Sequence, residues 1–244
     1  MSFLDHLEEL RSRLLKSVIA LAAGFGLAWN FHEEIFHFMV SPLRAFDPNL
    51  KLIATTPTET IMLYMKMAFF VGIFIAAPFL LYQIWAFIAP GLYAHEKGYA
   101  LPFVFFGTAF FIAGAAFGHY FLFPVTLSFL GGFGGADIQF LPRITEYYDF
   151  YSWFILALGI VFQVPVVIFV LARIGLITAG FLLRQFKWAI LLSFIVAAVV
   201  TPTPDMVTQT LLALPMIGLY LLGVLVAAIF GKKRKPAAAL ASTE

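Results

Sequence analysis

The sequence predicts an all-α membrane protein with six transmembrane helices, which form a proline-bent, concave bundle with short fifth and sixth helices. Three observations lead to this prediction: the composition, the distribution of apolar segments and the positions of the prolines. Of the 244 residues, 62% are hydrophobic and 11% are charged, and the mean hydropathy is +0.97. Soluble domains carry about 25% charged residues, so a lipid bilayer has to solvate much of this chain.

Six apolar segments are separated by polar stretches. They cover about residues 14–31, 61–88, 99–123, 151–171, 186–200 and 208–230. Pro78, Pro165 and Pro215 lie inside three of them, and Pro124 follows the third. Because proline frees a backbone carbonyl and usually bends a membrane helix, we expect a curved helical wall. We also expect the third span to stop at Pro124.

The fifth segment is shorter than a bilayer is thick. About 15 residues, at about 1.5 Å of rise each, reach about 22 Å, whereas the hydrocarbon core measures about 30 Å. Its turn, residues 201–205, is therefore expected to lie below the membrane surface. We hypothesise that this mismatch thins the bilayer locally.

The distribution of Lys and Arg predicts the orientation, since cytoplasmic loops carry more of both residues. With six alternating spans and a cytoplasmic N-terminus, eleven of these residues lie on the cytoplasmic side: Arg11, Arg13, Lys16, Lys97, Arg173, Arg184, Lys187, Lys232, Lys233, Arg234 and Lys235. The other side has four: Arg44, Lys51, Lys66 and Arg143. Both termini are thus expected in the cytoplasm. Residues 1–230 should form one membrane domain, followed by a basic and then flexible tail over residues 231–244.

The N-terminal segment has the pattern of a short amphipathic helix at the cytoplasmic face. Leu7, Leu10 and Leu14 recur at helical spacing. One interpretation is a solvated interfacial helix, in which Glu9 and Arg13 form a surface ion pair worth less than about 1 kcal/mol. The other is a functional role for the charged residues.

The loop after the second span combines interfacial aromatic residues with a turn. Tyr82, Trp85 and Tyr93 suit the aromatic belt of a membrane protein, and Pro90-Gly91 signals a turn. Glu96 follows just before the third span. Taken alone, it would be a solvated loop residue.

Several motifs, spaced in order along the chain, resemble those of TatC, the large core subunit of the twin-arginine protein translocase. The first two are His6-Leu7-x-Glu9-Leu10-Arg11-x-Arg13-Leu14 and Tyr82-Gln83-x-Trp85-x-Phe87-x-x-Pro90-x-Leu92-x-x-x-Glu96. Others are Ser41-Pro42-Leu43, Phe123-Pro124, Val164-Pro165 and Thr201-x-x-Pro204-Asp205-x-x-x-Gln209-Thr210-Leu211-Leu212-Ala213-x-Pro215-Met216. The resemblance extends from His6 to about Phe230.

The resemblance implies a receptor that binds twin-arginine signal peptides of folded cargo at the cytoplasmic face of a bacterial plasma (inner) membrane. The family's recognition residues correspond here to Glu9, Arg11, Phe87 and Glu96. An arginine guanidinium presents a planar fork of donors that a carboxylate accepts bidentately. Two carboxylates from separate segments are therefore expected to hold one arginine each.

The resemblance also implies partners and an energy source. Thr201 and Gln209 correspond to a polar cluster where the family docks TatA and TatB, its single-span partners. The working state is expected to be an oligomeric complex without a cofactor, driven by the transmembrane proton gradient. Three further positions are candidates for docking or transport: Asp205, Gln163 and Pro42.

Each of these three positions also has a structural interpretation. Gln163, where many relatives carry Glu, fits an interhelix hydrogen bond as well as a functional role, and an amide does not titrate. Asp205 fits a turn cap as well as a transport role. Pro42 is expected to be structural.

Other classes of function find less support. The chain contains no cysteine, which excludes thiolate metal sites and cysteine nucleophiles. His32 and His37 are five residues apart, whereas the helical zinc motif needs four. We expect no enzymatic activity, including intramembrane proteolysis. The alternative is a small-solute secondary transporter, which would need ionisable residues or discontinuous helices near the midplane.

Overall fold

The computed structural model describes residues 3–88, 100–132, 141–201 and 205–231. These residues form ten α-helices and one π-helical turn, in the order α1 (Phe3–Trp29), α2 (His32–Phe46), α3 (Pro57–Ile88), α4 (Ala100–Phe117), the π-turn (Gly118–Leu122), α5 (Phe123–Gly131), α6 (Ile144–Val161), α7 (Val164–Arg173), α8 (Ala179–Arg184), α9 (Phe186–Val200) and α10 (Met206–Phe230). Five helical segments are long and apolar enough to cross a bilayer, and α9 is a shorter apolar helix. The predicted all-α, six-span architecture is confirmed.

Helix α1 begins earlier than we predicted, because the N-terminal amphipathic segment and the first span form one helix of 27 residues. No glycine or proline interrupts the chain between Phe3 and Ala23, so nothing ends the helix at the membrane surface. Large apolar side chains such as Leu14 and Ile19 are more than half exposed, as expected for a lipid-facing surface. We call the end of the bundle where α1 begins the N-terminal face.

Helices α1 and α3 cross at two glycines. A Cβ atom on Gly24 would lie 2.6 Å from the backbone oxygen of Gly72, and one on Gly72 would lie 2.8 Å from the backbone nitrogen of Phe25. Only glycine permits this approach. Small residues let membrane helices pack backbone against backbone, which replaces the hydrophobic driving force that lipid does not supply.

The third span does not stop at Pro124, which corrects our prediction. Helix α4 continues through the π-turn into α5, which ends at Gly131. Proline cannot donate, and its ring clashes with the carbonyl four residues earlier. The π-turn absorbs this defect: the Phe123 amide donates to the Gly118 carbonyl, five residues back. The hydroxyl of Thr126 donates an additional bond to the Leu122 carbonyl at 2.9 Å, as Ser and Thr often do within helices.

The fourth span divides where Pro165 was expected to bend it. Helix α6 ends at Val161 and α7 begins at Val164, with Phe162 and Gln163 in a turn between them. The span also begins at Ile144, earlier than the expected residue 151, because the polar stretch before Tyr151 is helical. By contrast, α3 and α10 continue through Pro78 and Pro215 as single helices.

The sequence analysis did not predict helix α2, which lies at the end of the bundle opposite the N-terminal face. Its buried residues Met39 and Leu43 join a core with Phe123 and Tyr147. The Tyr147 hydroxyl donates to the Met39 carbonyl at 2.9 Å. Helix α2 thus covers the core at the end of the bundle opposite the N-terminal face.

The last two spans differ in length. Helix α9 has 15 residues, as predicted, but α10 has 25. The expectation of a short sixth helix is therefore wrong: α10 begins directly after the hairpin and continues to Phe230. Among the described helices that form the six spans, the fifth alone is shorter than about 30 Å of hydrocarbon.

We predict that replacing Gly24 or Gly72 by Ala separates α1 from α3. The added methyl group meets backbone rather than a flexible side chain, so the free energy of unfolding should fall by about 1–3 kcal/mol. Thermal unfolding in detergent measures this. Gly26→Ala is the matched control, since a Cβ there meets nothing within 4 Å and alanine favours helix. An equal fall in the free energy of unfolding in all three variants would contradict the close backbone contact between α1 and α3.

Candidate functional site

A polar network ties the start of α1 to the end of α3 at the N-terminal face. The guanidinium of Arg13 donates to Glu9 Oε1 through Nε at 3.0 Å and through Nη2 at 2.5 Å. Its Nη1 also donates to Gln83 Oε1 at 3.4 Å. Gln83 is buried, and the side chains of Glu9 and Arg13 are each 21% exposed. The network therefore holds the Glu9 carboxylate in one orientation at the edge of the bundle.

An aromatic contact lies on the same face. The rings of His6 and Phe87 stack with centroids 4.5 Å apart and planes 25° apart. Like the bond between Arg13 and Gln83, this contact joins α1 to α3. Two sequence-predicted binding residues, Glu9 and Phe87, thus lie on neighbouring helices at one end of the bundle.

The other two predicted binding residues are Arg11 and Glu96. Arg11 is exposed on α1. Glu96 lies outside the described residues, since the chain is described up to residue 88 and again from residue 100. That the carboxylates of Glu9 and Glu96 converge stays a prediction.

Gln163 lies at the break between α6 and α7. Its side-chain amide Nε2 donates to the Gly107 carbonyl of α4 at 2.9 Å. Gly107 is buried, and a Cβ there would lie 3.1 Å from Leu81 of α3. Gln163 therefore makes the interhelix hydrogen bond that the structural interpretation anticipated, and it ties the divided fourth span to the third.

The hairpin between α9 and α10 carries three further candidates. Thr201 is buried, and its hydroxyl donates to the Ala197 carbonyl at 2.9 Å within α9. Gln209 Nε2 of α10 donates to the Phe194 carbonyl of α9, also at 2.9 Å. Residues 202–204 of the turn lie outside the described part of the chain. Gln209 thus fixes the two helices against each other near their shared end.

Asp205 caps the N-terminus of α10. Its Oδ1 accepts hydrogen bonds from the Val207 amide at 3.1 Å and the Thr208 amide at 2.7 Å. The Thr208 hydroxyl donates to Oδ2. Two amide groups that lack helical partners are satisfied in this way, so the capping interpretation holds. Pro42 is buried inside α2.

The sequence analysis missed a polar cluster at the opposite face. Glu59 is buried; its Oε2 accepts from the Thr55 amide at 2.6 Å, and its Oε1 accepts from the Thr145 hydroxyl at 2.6 Å. Arg143 Nη2 lies 3.6 Å from Oε1. The segment Thr56-Pro57-Thr58-Glu59 has the spacing of a capping box with proline at the first helical position, and that signal was readable in the sequence.

The fold and these sites define a six-span α-helical membrane protein whose polar networks lie at both ends of the bundle and at one break in its fourth span. Within the described residues, no group of three or more His, Cys, Asp or Glu side chains could hold a metal ion.

Residues 5–215 match the family described as "Sec-independent protein translocase protein (TatC)". A protein of that description from Koribacter versatilis is 45% identical over 241 residues, covering 96% of this chain and 88% of the relative. Another, from Desulforapulum autotrophicum, is 41% identical over 233 residues, covering 95% and 86%. A crystal structure of "Twin Arginine Translocase Receptor- TatC in DDM" superposes with a TM-score of 0.80 at 35% identity, covering 93% of this chain and 100% of that one. The chain belongs to the TatC family and is a core subunit of a twin-arginine translocase.

We predict that Asp205→Ala lowers stability by about 1 kcal/mol, because it removes the helix cap. Asp205→Asn keeps a capping oxygen and should unfold close to the wild-type temperature. Thermal unfolding of both variants in detergent measures the difference. If Asn destabilises as much as Ala, the negative charge rather than the cap supports the helix.

Proposed function

We propose that this chain is the receptor and core scaffold of its translocase, binding Arg-Arg signal peptides of folded proteins at the cytoplasmic face. The observation that carries the proposal is the oriented Glu9 carboxylate at the N-terminal face, beside the stacked pair of His6 and Phe87. The segments that sequence order assigns to this face carry more Lys and Arg than those of the opposite face, which supports a cytoplasmic location.

The chemistry of a carboxylate suits the proposed ligand. Arg13 Nε and Nη2 both donate to Glu9 Oε1, and Glu9 Oε2 accepts no hydrogen bond within the described part of the chain. A signal-peptide guanidinium can approach Oε2 while Arg13 keeps the carboxylate in place. A hydrogen bond to a charged group contributes about 1.5–3 kcal/mol when water is partly excluded. Glu96 is proposed to receive the second arginine, with Arg11 and Phe87 completing the site.

Lysine is a poorer ligand for this site. Its ammonium group is a compact and strongly hydrated point charge, whereas a guanidinium is more weakly hydrated and presents its N–H donors in a fixed plane, so the guanidinium gives up less hydration on contacting Glu9 Oε2. The proposal therefore requires that the protein binds an Arg-Arg signal peptide more tightly than a Lys-Lys signal peptide.

We predict that Glu9→Gln weakens binding of an Arg-Arg signal peptide by about tenfold or more, since it removes the charge and keeps the shape. Fluorescence titration of purified protein with the labelled peptide measures this. Glu8→Gln is the matched control: it removes the same charge from an exposed neighbour on α1. Wild-type protein should bind a Lys-Lys peptide about as weakly as Glu9→Gln binds the Arg-Arg peptide.

Export in cells tests the two carboxylates together. The double variant Glu9→Ala, Glu96→Ala should abolish export of a folded reporter with an Arg-Arg signal. Normal export by this variant would falsify the recognition proposal, and a small-solute transporter would show no dependence on the signal's arginines.

We also propose that the α9–α10 hairpin recruits TatA-like and TatB-like single-span partners. Gln209 fixes the two helices together, and the apolar residues next to it face outward: Met206 is 84% exposed and Val199 is 67% exposed. Thr201, Asp205 and Gln209 thus lie beside a rigid apolar surface that a partner helix can cover. Export is proposed to be driven by the proton gradient. In this proposal Gln163 joins the fourth span to α4 through its hydrogen bond to Gly107 and has no proton-linked role, because a side-chain amide does not ionise. Pro42 supports α2.

We predict that a photo-crosslinking residue at Met206 captures a single-span partner in intact membranes. The matched control is Leu101, which is 79% exposed but lies at the N-terminal face on α4. Adducts of the partner's mass should form from Met206 and not from Leu101. Equal crosslinking from both positions would show contact without preference for the hairpin.

A further inference from the structure

An apolar groove of about 490 Å³ is lined by residues of α4, α7 and α10. Helix α7 contacts both of the other two helices. Ligand pockets measure about 300–1,000 Å³. Each helix contributes a pair of residues at helical spacing, and these pairs are Phe106 and Phe110, Phe169 and Arg173, and Val226 and Phe230. Almost all of the lining is hydrocarbon.

The groove has one cationic end. The Arg173 guanidinium lies at the end of α7, where its Nη1 donates to the Phe230 carbonyl at 3.2 Å. The rings of Phe169 and Phe230 meet edge to face with centroids 5.8 Å apart. The groove thus has an aromatic wall and, at the end of α7, a guanidinium that is placed to reach a lipid headgroup while its apolar stem lies along the wall.

The side of the membrane to which sequence order assigns this end has a net positive charge. By sequence order, eleven Lys and Arg residues belong to this side, against five acidic residues, Asp5, Glu8, Glu9, Glu96 and Glu244. Four consecutive basic residues, Lys232 to Lys235, follow Gly231 directly. Basic pockets between membrane helices favour anionic lipid headgroups.

We propose that this groove binds one anionic phospholipid, with an acyl chain along Phe106, Phe169 and Val226 and the phosphate at Arg173. A guanidinium is the side chain best matched to phosphate geometry, and the apolar walls match an acyl chain. The site is separate from the network around Glu9, and it does not depend on which signal the protein reads.

Native mass spectrometry of delipidated protein tests the proposal. The probes are palmitoyl-oleoyl phosphatidylglycerol and palmitoyl-oleoyl phosphatidylcholine, which share acyl chains and differ in net charge. Wild-type protein should retain phosphatidylglycerol about fivefold more strongly, the preference expected for one cation near a lipid surface.

Two variants separate the headgroup from the chain. Arg173→Gln should remove the preference and leave residual binding of both lipids, whereas Arg184→Gln, an exposed cation at the same end, should keep the preference. Val226→Trp fills the groove and should lower binding of both lipids several-fold. Leu225→Trp, on a lipid-facing position of the same helix that is 55% exposed, should not.

Three results would overturn the proposal. The first is equal retention of both lipids by wild-type protein. The second is a preference that survives Arg173→Gln and disappears when Lys232 to Lys235 are changed to Gln, which would assign it to the tail. The third is unchanged lipid binding in Val226→Trp with loss of a co-purifying partner protein, which would assign the groove to that partner.

Discussion

A chain inside the hydrocarbon core of a bilayer has to satisfy its backbone hydrogen bonds within the protein, and this constraint explains the irregular points of the structure. At Pro124 the π-turn shifts the backbone bonding by one residue, so that the Gly118 carbonyl accepts from the Phe123 amide five residues on. At Pro165 the helix divides, and two backbone bonds close the turn: the Gln163 amide donates to the Ile160 carbonyl, and the Val167 amide donates to the Gln163 carbonyl. Each defect is repaired by neighbouring residues, so the bundle stays closed while its helices change direction.

The cost of burying polar groups in hydrocarbon also explains why the charged side chains lie at the ends of the bundle. Charged side chains are costly at the bilayer centre, so Glu9 and Arg13 lie at one end and Glu59 and Arg143 at the other. The short helix α9 brings the polar hairpin between these extremes, because about 22 Å of helix cannot reach across about 30 Å of hydrocarbon. Asp205 and Gln209 are accommodated there by bonding to backbone groups of the hairpin itself.

Hydropathy predicted the number of spans and the short fifth helix, because both depend only on the length of apolar runs. It missed α2, whose outer face carries Glu33, Glu34 and His37 and whose apolar face is buried only by folding. It also ended the third span at Pro124, since a proline stops a helix unless the backbone shifts its register, and that shift leaves no mark in composition. Within the candidate site, spacing predicted the pair of Glu9 and Arg13, but the bond from Arg13 to Gln83 joins residues 70 apart in sequence and depends on how two spans pack.

The internal partner of Glu9 gives the proposed receptor a particular balance between affinity and order. An unpaired carboxylate would attract an incoming guanidinium more strongly, but it would rotate freely and lose more entropy on binding. Arg13 weakens the attraction by neutralising part of the charge, and in return it fixes the carboxylate against α3 through Gln83. A site balanced in this way binds moderately and releases its ligand readily. A translocase that has to pass its cargo onward needs that property more than it needs tight binding.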